Sequence, residues 1–407
     1  MNIEQLRAQF PALSGKVYGK PLVYLDNAAT IQRPRSVIDK WTHLTEHCNA
    51  NLHRAVHFIA AEATDEYEST RDAVKDFLNA GSREEIVFTS GATASINLVA
   101  FCFGEAFVRP GDEIIVSESE HHSNIVPWQM MCSRKGAKLK VLPVSDDGHL
   151  RIDLLDGLVT DRTRLLCVAQ ISNVLGIVNP LKDIVNYCHS RNCLVLVDGA
   201  QGVVHTGADV RGIGCDFYAF SGHKVYAAPG TGVLYGRKEL LEQMPPYMGG
   251  GEMISSVKFS GTTYAPLPGK FEAGTQNMAG TPTLKPALDL AKALRDKDIS
   301  EYGEKVKDYV LNALMSDDRI NLYGVPRGTF DKIPLFSFTV KGAHHEDLAL
   351  LLDKMGVAVR SGQMCAEPLM DRFGVTGMLR ASFAPYNTME EAEYFIKSLD
   401  WAISMLV

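Results

Sequence analysis

Four apolar runs of this chain each end at residues whose types could do chemistry together. One run ends in the acid Asp198, and another is followed by Ser-Gly-His-Lys224. A third leads into a helix start at Gly91–Thr93, and a fourth is followed by the histidine pair His121–His122. In open α/β sheets, ligands bind at the carboxyl ends of the strands. We therefore expect these groups to surround one ligand site.

The residue types match what pyridoxal phosphate (PLP) requires. PLP bonds covalently to a lysine amine and needs an acid that keeps its pyridine nitrogen protonated. Its phosphate binds backbone N–H groups at a helix N-terminus. Lys224, Asp198 and Gly91–Thr93 can supply these functions. Each feature alone is common as a solvated charge or a helix cap, but their coincidence at neighbouring strand ends favours a cofactor site.

One of the eight cysteines differs from the rest in its surroundings. Most lie inside apolar segments such as Leu166–Val168, and no pair has CxxC spacing, which is typical of reduced core cysteines. Cys365 instead lies in the segment Arg-Ser-Gly-Gln-Met-Cys-Ala-Glu-Pro, a loop pattern in which a thiol can be exposed and reactive.

An alternation of short β-rich runs and helical patterns must position these residues. Continuous apolar strands bounded by Gly, Asp or Ser are typical of a parallel sheet covered on both faces. We predict an α/β fold with two domains. The large domain covers residues 20–290 and is built on a seven-stranded, mostly parallel sheet. The smaller α+β domain covers residues 291–407 and includes residues 1–19. The seven runs are Glu85–Thr89, Glu113–Ser117, Leu139–Pro143, Leu165–Ile171, Leu194–Asp198, Phe217–Phe220 and Gly232–Tyr235. A long amphipathic stretch is predicted from Leu284 through Leu314.

Composition narrows the function classes. The chain has 407 residues, of which 46% are hydrophobic and 22% charged, enough to form a large core. The formal net charge is −7 and no basic stripe is visible, which argues against broad nucleic-acid binding. No apolar run approaches the ~20 residues of a membrane span, and no signal peptide is recognised. We predict a cytoplasmic protein without a metal site.

Several short segments, in this order, resemble one family. They are Tyr-Leu-Asp-Asn-Ala-Ala-Thr (24–30), His-His-Ser-Asn-Ile-Val-Pro-Trp (121–128), Val-Asp-Gly-Ala-Gln (197–201), Ser-Gly-His-Lys (221–224), Glu-Ala-Gly-Thr (272–275), Arg-Ser-Gly-Gln-Met-Cys (360–365) and Leu-Arg-Ala-Ser-Phe-Ala-Pro-Tyr-Asn-Thr (379–388). Together they resemble the group II (Suf and Csd type) cysteine desulfurases, which also include selenocysteine lyases. That group belongs to the aminotransferase class V enzymes of PLP fold-type I. The resemblance extends from about residue 5 to the C-terminus.

The resemblance implies roles in holding PLP. Lys224 is implied as the covalent and catalytic lysine, Asp198 as the partner of the pyridine nitrogen and Gln201 as the partner of the phenolic oxygen. His121 is implied to stack on the ring and assist proton transfers. The residues implied to hold the phosphate are Ala92, Thr93, Ser221, His223 and Thr275. Of these, Thr275 is implied to come from a second subunit.

The resemblance also implies a substrate site and a nucleophile. Arg380 would bind the substrate carboxylate in a bidentate pair, a geometry that lysine cannot reproduce. Asn173 would lie beside cofactor and substrate, and Arg360 would support the substrate or the cysteine loop. Cys365 would accept the sulfur.

Some positions depart from the family pattern. Ala92 and Ala94 replace a threonine and a glutamate of the phosphate loop, and Gln276 replaces a proline. The segment that includes Ala227 and Ala228 replaces Leu-Tyr-Gly-Pro-Thr-Gly-Ile-Gly, and Met364 stands where a histidine is common. Backbone N–H groups can still bind the phosphate, whereas Met364 cannot lower the pKa of a neighbouring thiol as histidine can.

The implied activity is conversion of L-cysteine to L-alanine with a persulfide left on Cys365, within cysteine metabolism and sulfur supply such as iron–sulfur cluster assembly. A homodimer and a SufE-like sulfur acceptor are the implied partners, while the acceptor's identity and the pathway stay open. The alternatives are a selenocysteine lyase or cysteine sulfinate desulfinase on the same scaffold, and a catalytically weak paralogue that acts as a binding partner.

Overall fold

The computed structural model describes residues 2–53, 56–325, 327–328 and 331–407. Within these ranges, the strands in chain order are β1 (Lys16–Val17), β2 (Lys20–Pro21), β3 (Val23–Tyr24), β4 (Ile86–Thr89), β5 (Glu113–Ser117), β6 (Lys138–Leu142), β7 (Thr163–Ala169), β8 (Leu194–Asp198), β9 (Phe217–Ser221), β10 (Gly232–Gly236), β11 (Ile254–Lys258), β12 (Gly261–Tyr264), β13 (Ile320–Tyr323), β14 (Leu335–Val340), β15 (Val357–Ala358), β16 (Arg360–Gly362) and β17 (Met378–Ser382).

The helices in the same ranges are α1 (Ile3–Arg7), α2 (Arg35–His47), α3 (Phe58–Leu78), α4 (Ala92–Phe107), α5 (Val126–Lys135), α6 (Leu155–Leu158), α7 (Leu181–Ser190), α8 (Gly202–His205), α9 (Val210–Ile213), α10 (Lys238–Gln243), α11 (Leu284–Ala293), α12 (Lys297–Ser316), α13 (His345–Lys354), α14 (Glu367–Phe373) and α15 (Met389–Leu406). None of the helices in these ranges is long and apolar enough to cross a membrane.

A seven-stranded sheet forms the centre of the fold, in the order β4-β10-β9-β8-β7-β5-β6. All pairs are parallel except those made by β10, which runs antiparallel to both β4 and β9. The connection from β9 to β10 is too short for the crossover that a parallel pair needs, so β10 reverses direction. The predicted mostly parallel sheet of seven strands is confirmed, and each strand overlaps one of the seven predicted runs.

Both faces of this sheet are covered, which is why its strands read as continuous apolar runs. On β8, Val195 and Val197 point into one core cluster while Leu196 points into the other. The same alternation on β9 places Phe220 and Ala219 on opposite faces. The side chains at the strand ends are therefore set on a rigid, fully packed layer.

A second, four-stranded antiparallel sheet has the order β13-β14-β17-β16. Its apolar side chains share a core cluster with α12, α13 and α15, and this cluster also contains Val23 and Leu25 from near the N-terminus. The short strand β3 pairs with β15 in parallel. The N-terminal segment thus packs on the C-terminal elements, while the domain division at 290/291 stays a prediction.

The predicted amphipathic stretch from Leu284 through Leu314 is not one helix. It is divided into α11 and α12, because Asp296 begins the second helix and its Oδ1 accepts a hydrogen bond from the N–H of Asp298 (3.0 Å). An aspartate at this position satisfies a helix-start N–H and favours a new N-terminus.

Candidate active site

A cavity of about 230 Å³ lies at the carboxyl ends of the parallel strands. Of the predicted site residues, it brings together Ala92, Thr93, His121, Asn173, Asp198, Ser221, His223, Lys224, Arg360, Cys365 and Arg380. The strand ends predicted to surround one ligand site therefore line one cavity, together with three predicted residues of the C-terminal part of the chain, whereas His122 is not among the lining residues.

The carboxyl group of Asp198 and the amine of Lys224 interact electrostatically in this cavity. Asp198, the last residue of β8, is buried, and its Oδ1 accepts a hydrogen bond from the N–H of Ala200 (2.9 Å). Burial raises the pKa of Asp198, and the positive charge of Lys224 opposes that rise. Burial likewise lowers the pKa of Lys224, and Asp198 opposes that fall. Each group thus stabilises the charge of the other.

The start of α4 forms a cup of backbone N–H groups next to the lysine. Gly91 precedes the helix with a φ of 154°, a conformation that favours glycine, and Ser221 Oγ accepts a hydrogen bond from the N–H of Ala92 (2.8 Å). A Cβ built on Gly232 would lie 2.4 Å from the Cα of Gly91, so β10 approaches this cup as closely as a glycine permits. The N-terminus of this 16-residue helix suits an anion.

The imidazole of His121 is held in a defined protonation state. Its Nδ1 accepts a hydrogen bond from the N–H of Ser123 (3.1 Å), which leaves the proton of the neutral ring on Nε2. Burial, with added repulsion from the charges of Lys224, His122 and Arg380, lowers the pKa of His121 to about 4. His121 is therefore neutral near pH 7.

A buried carboxyl that the sequence analysis did not single out lies next to His121. Glu120 accepts hydrogen bonds from Asn124 Nδ2 (2.6 Å), the N–H of Ala169 (2.8 Å) and the hydroxyl of Ser117. Burial raises the pKa of Glu120 to about 7 despite these donors. It ties the turn that carries His121 to two strand ends. Two of these donors are local, but the third, Ala169, lies 49 positions away, and that contact leaves no signal in the local sequence.

The guanidinium of Arg380 is buried at the cavity wall. One terminal nitrogen donates to the carbonyl of Asn173 (2.8 Å) and the other to Oδ1 of Asp26 (3.1 Å). Its Nε is buried and has no hydrogen-bond partner among the described residues. Arg360 stands opposite Arg380 in the β16–β17 register and also lines the cavity. The two cations make this wall suitable for a carboxylate. Asp26 was not predicted as a site residue.

Cys365 is exposed, whereas the other seven cysteines are buried. Met364 and Cys365 have φ values of 54° and 55°, a left-handed conformation that costs roughly 1–2 kcal/mol per non-glycine residue. The carbonyl of Met364 accepts from Asn173 Nδ2 (2.9 Å), and that of Cys365 accepts from the N–H of His122 (2.7 Å). His122, the second residue of the histidine pair, therefore lies against the loop that carries the thiol.

Two predicted residues are not among those that line the cavity. Gln201 is buried, and its Nε2 donates to the carbonyl of Ala28 (2.8 Å), a residue that does line it. Thr275 is exposed and borders a separate cavity of about 310 Å³. The role of each in cofactor binding stays a prediction, and for Thr275 that prediction concerns a second subunit.

The residues present fit PLP. The amine of Lys224, the carboxyl of Asp198 and the cup at Gly91–Thr93 match the aldehyde, pyridine nitrogen and phosphate of the cofactor. The changes at Ala92 and Ala94 remove side chains but no backbone N–H, so the cup keeps its donors. The remaining wall carries the guanidinium of Arg380 and the thiol of Cys365.

Comparison with known proteins finds cysteine desulfurases that are similar to this chain over nearly their whole length. A probable cysteine desulfurase of Vibrio cholerae is 44% identical over 406 residues, which is all of both chains. A cysteine desulfurase of Klebsiella pneumoniae is 47% identical over 98% of this chain and 97% of the relative. The crystal structure of the cysteine desulfurase CsdA (S-sulfonic acid) from Escherichia coli matches with a TM-score of 0.92 at 42% identity over all of both chains.

The sequence pattern of the aminotransferase class-V family matches residues 23–395, which is most of the chain. That match agrees with the sheet, the cavity and the relatives. This chain therefore belongs to the aminotransferase class-V family, as the resemblance of its motifs implied.

Proposed function

We propose that this chain is a PLP-dependent cysteine desulfurase, which converts L-cysteine to L-alanine and retains the sulfur as a persulfide on Cys365. The observation that carries the proposal is one cavity lined by Lys224, Asp198, Arg380 and an exposed thiol. The cysteine desulfurases of Vibrio cholerae and Klebsiella pneumoniae, similar over nearly their whole length, support it.

The atoms of this reaction balance without an added oxidant or reductant. The C–S bond of L-cysteine breaks, and an S–S bond forms between the released sulfur and Cys365 Sγ. L-cysteine and Cys365 together bring two thiol hydrogens. One of them is gained by the substrate Cβ, which becomes the methyl group of alanine, and the other stays on the persulfide. A later acceptor or reductant removes the terminal sulfur from Cys365.

Arg380 orients the substrate. A planar guanidinium binds a carboxylate through two parallel N–H donors, and the buried Nε of Arg380 has no hydrogen-bond partner among the described residues. Asp26 and the carbonyl of Asn173 hold the two terminal nitrogens, so the guanidinium cannot rotate freely. The substrate Cα is thereby directed towards the lysine side of the cavity.

Lys224 and His121 move protons. PLP, when bound, withdraws electrons from the substrate Cα and so makes its proton removable. The amine of Lys224 accepts that proton, because burial lowers its pKa and favours the neutral base. The neutral imidazole of His121 carries a proton on Nε2 that can be donated at the reacting centre.

A homodimer with shared active sites is part of the proposal. Thr275 does not line the cavity that contains Lys224 in its own chain. Together with its neighbours Ala273 and Gln276, it borders the separate cavity of about 310 Å³. The hairpin β11–β12 precedes this segment and exposes Val257 and Phe259 to solvent. An exposed apolar hairpin next to Thr275 supports a partner subunit at this face.

A SufE-like protein is proposed as the sulfur acceptor. Only the segment 363–366 separates β16 from α14, so the loop around Cys365 gives its thiol little reach. The acceptor must therefore approach the thiol. We expect alanine release to rise steeply with such a protein and only modestly with a small thiol reductant. Equal stimulation by both at matched thiol concentration would contradict this.

The proposed compartment is the reducing cytoplasm, in keeping with eight free cysteines.

Measuring alanine formation from L-cysteine by the PLP-loaded enzyme and its Cys365→Ser variant tests the proposal. The variant should lose nearly all activity with cysteine, while Cys48→Ser, which changes a buried thiol outside the cavity lining, keeps it. A wild-type enzyme that forms no alanine would refute the proposal. Retained cleavage of L-selenocysteine or cysteine sulfinate by Cys365→Ser, with no cysteine cleavage by the wild type, would favour the alternative lyase or desulfinase.

A further inference from the structure

His122 makes two hydrogen bonds to the loop that carries Cys365, one at Cys365 itself and one two residues further along the chain. Its backbone N–H donates to the carbonyl of Cys365 (2.7 Å), and its imidazole Nε2 accepts from the N–H of Glu367 (3.0 Å). Glu367 is the first residue of α14, and its N–H has no acceptor within that helix. His122 thus fixes the carboxyl end of the short loop 363–366.

The helix that follows the loop is also fixed at its other end. Arg372, near the end of α14, donates to Asp146 Oδ1 (2.7 Å) and to the carbonyl of Val144 (3.3 Å). These residues follow β6, at the same edge of the central sheet as His122. The loop around Cys365 is therefore joined to the large sheet through both His122 and α14.

His122 follows directly after His121, which lines the cavity. His121 caps the 3₁₀ segment His122–Asn124, and Glu120 ties that segment to the strand ends through Asn124. The turn that places the imidazole of His121 also places the backbone of Cys365. The positions of the proton-transferring imidazole and of the sulfur-accepting thiol thus depend on the same turn.

We propose that His122 is a positioning residue, whose imidazole accepts from the N–H of Glu367, holds α14 and thereby keeps the Cys365 thiol at the cavity in the orientation that accepts sulfur. The proposal rests on the proposed function, since it concerns the same site. Because Nε2 acts as an acceptor, the ring carries its proton on Nδ1. His122 does not line the cavity, so its effect on the reaction passes through Cys365.

The test compares three variants of the full-length, PLP-loaded enzyme. His122→Gln keeps an acceptor close to the position of Nε2, His122→Asn is too short to reach Glu367, and His122→Phe keeps a ring without an acceptor. We expect kcat for alanine formation from L-cysteine to fall at least tenfold in the Asn and Phe variants with KM changed less than twofold. The Gln variant should stay within threefold of the wild type.

A second readout separates sulfur transfer from the rest of the site. Exchange of the Cα hydrogen of L-alanine in D₂O needs Lys224 but no thiol, so it should proceed at the wild-type rate in all three variants. Wild-type kcat in both the Asn and Phe variants, or an equal loss in the Gln variant, would overturn the positioning role. Loss of Cα exchange together with alanine formation would overturn it as well, because the damage would then not be confined to Cys365. If the wild type itself makes no alanine, the proposed function fails first.

Discussion

Lys224 is the residue on which we propose that covalent cofactor binding depends. Among the residues that line the cavity it is the one lysine, and Asp198 is its electrostatic partner. We predict that Lys224→Ala abolishes alanine formation, because both the covalent bond to PLP and the base at the substrate Cα are lost. Absorbance spectra and borohydride reduction of the purified variant measure the covalent bond.

The matched control is Lys297→Ala, which removes a lysine whose side chain is 85% exposed. It should keep both the activity and the spectrum of the wild type. A Lys224→Ala enzyme that still holds PLP through a borohydride-reducible bond would show that another lysine has this role.

Sequence patterns located side chains that line the cavity but not the contacts that hold them in place. Lys224, Asp198 and the cup at Gly91 follow apolar runs, and such runs mark strand ends by local composition. Asp26 acts through Arg380, 354 positions away, and His122 acts through Glu367, 245 positions away. No local pattern encodes contacts at such separations, so these two contacts could be found only in the folded structure.

At the scale of elements, a buried ion pair joins α3 to the segment that leads to Thr275. Arg71 is 2% exposed and makes two hydrogen bonds to Glu272, at 2.7 and 2.9 Å, while Glu272 also accepts from the N–H of Phe88 (2.7 Å). We predict that Arg71→Ala lowers the free energy of unfolding by about 3–5 kcal/mol, because a buried carboxylate is left without its partner.

Urea denaturation measures this loss, with Arg83→Ala as control. Arg83 pairs with Asp72 at 3.0 Å but its side chain is 45% exposed, so its removal should cost no more than about 1 kcal/mol. Similar small losses in both variants would mean that the Arg71–Glu272 pair does not stabilise the fold.

Elements with an apolar core face were predictable, and elements without one were not. The central strands are buried on both faces, so composition alone marked them. The hairpin β11–β12 is exposed almost throughout and was not predicted, because no core contact imposes a pattern on its residues. The sequence predicted α11 and α12 as one amphipathic stretch because each helix has an apolar face, whereas Asp296 caps the second helix separately.

At the scale of the whole molecule, a shared active site can be tested by complementation. Lys224→Ala and Thr275→Ala variants are each predicted to be inactive or weak as homodimers. In a mixed dimer, one site combines the intact Lys224 of one chain with the intact Thr275 of the other. Activity should therefore reappear when the two variants are co-expressed or refolded together, which an alanine assay measures.

Light scattering over a dilution series provides the control for that experiment by recording whether the wild type is dimeric. Mixed samples that stay as inactive as the separate variants would mean that Thr275 acts within its own chain or has no role. A fully active monomer would contradict the shared site altogether.

Three histidines make stability depend on pH. Burial lowers the pKa values of His121, His205 and His223 to about 4, from an unfolded value near 6.5. Between these values the unfolded chain binds more protons, so their stabilising contribution is complete above about pH 6.5 and is lost as the pH falls towards 4. Burial raises the pKa values of Glu120 (to about 7), Asp198 and Asp26, and these three carboxyl groups act in the opposite direction.

We therefore predict a lower urea midpoint at about pH 5.5 than at about pH 7.5. The variant His205→Gln, which removes one of the three histidines, should lose less stability over the same interval. Thermal or urea unfolding at both pH values measures the difference. An identical loss in wild type and variant would show that His205 does not titrate as its burial requires.

The central claim is that Cys365 takes sulfur from L-cysteine, and peptide mass spectrometry after a single turnover tests it most directly. The account predicts one added sulfur atom on the peptide that contains Cys365, an equal amount of alanine, and removal of that sulfur by a thiol reductant. Alanine formed in that turnover without sulfur on Cys365, or with the sulfur on one of the buried cysteines, would contradict it.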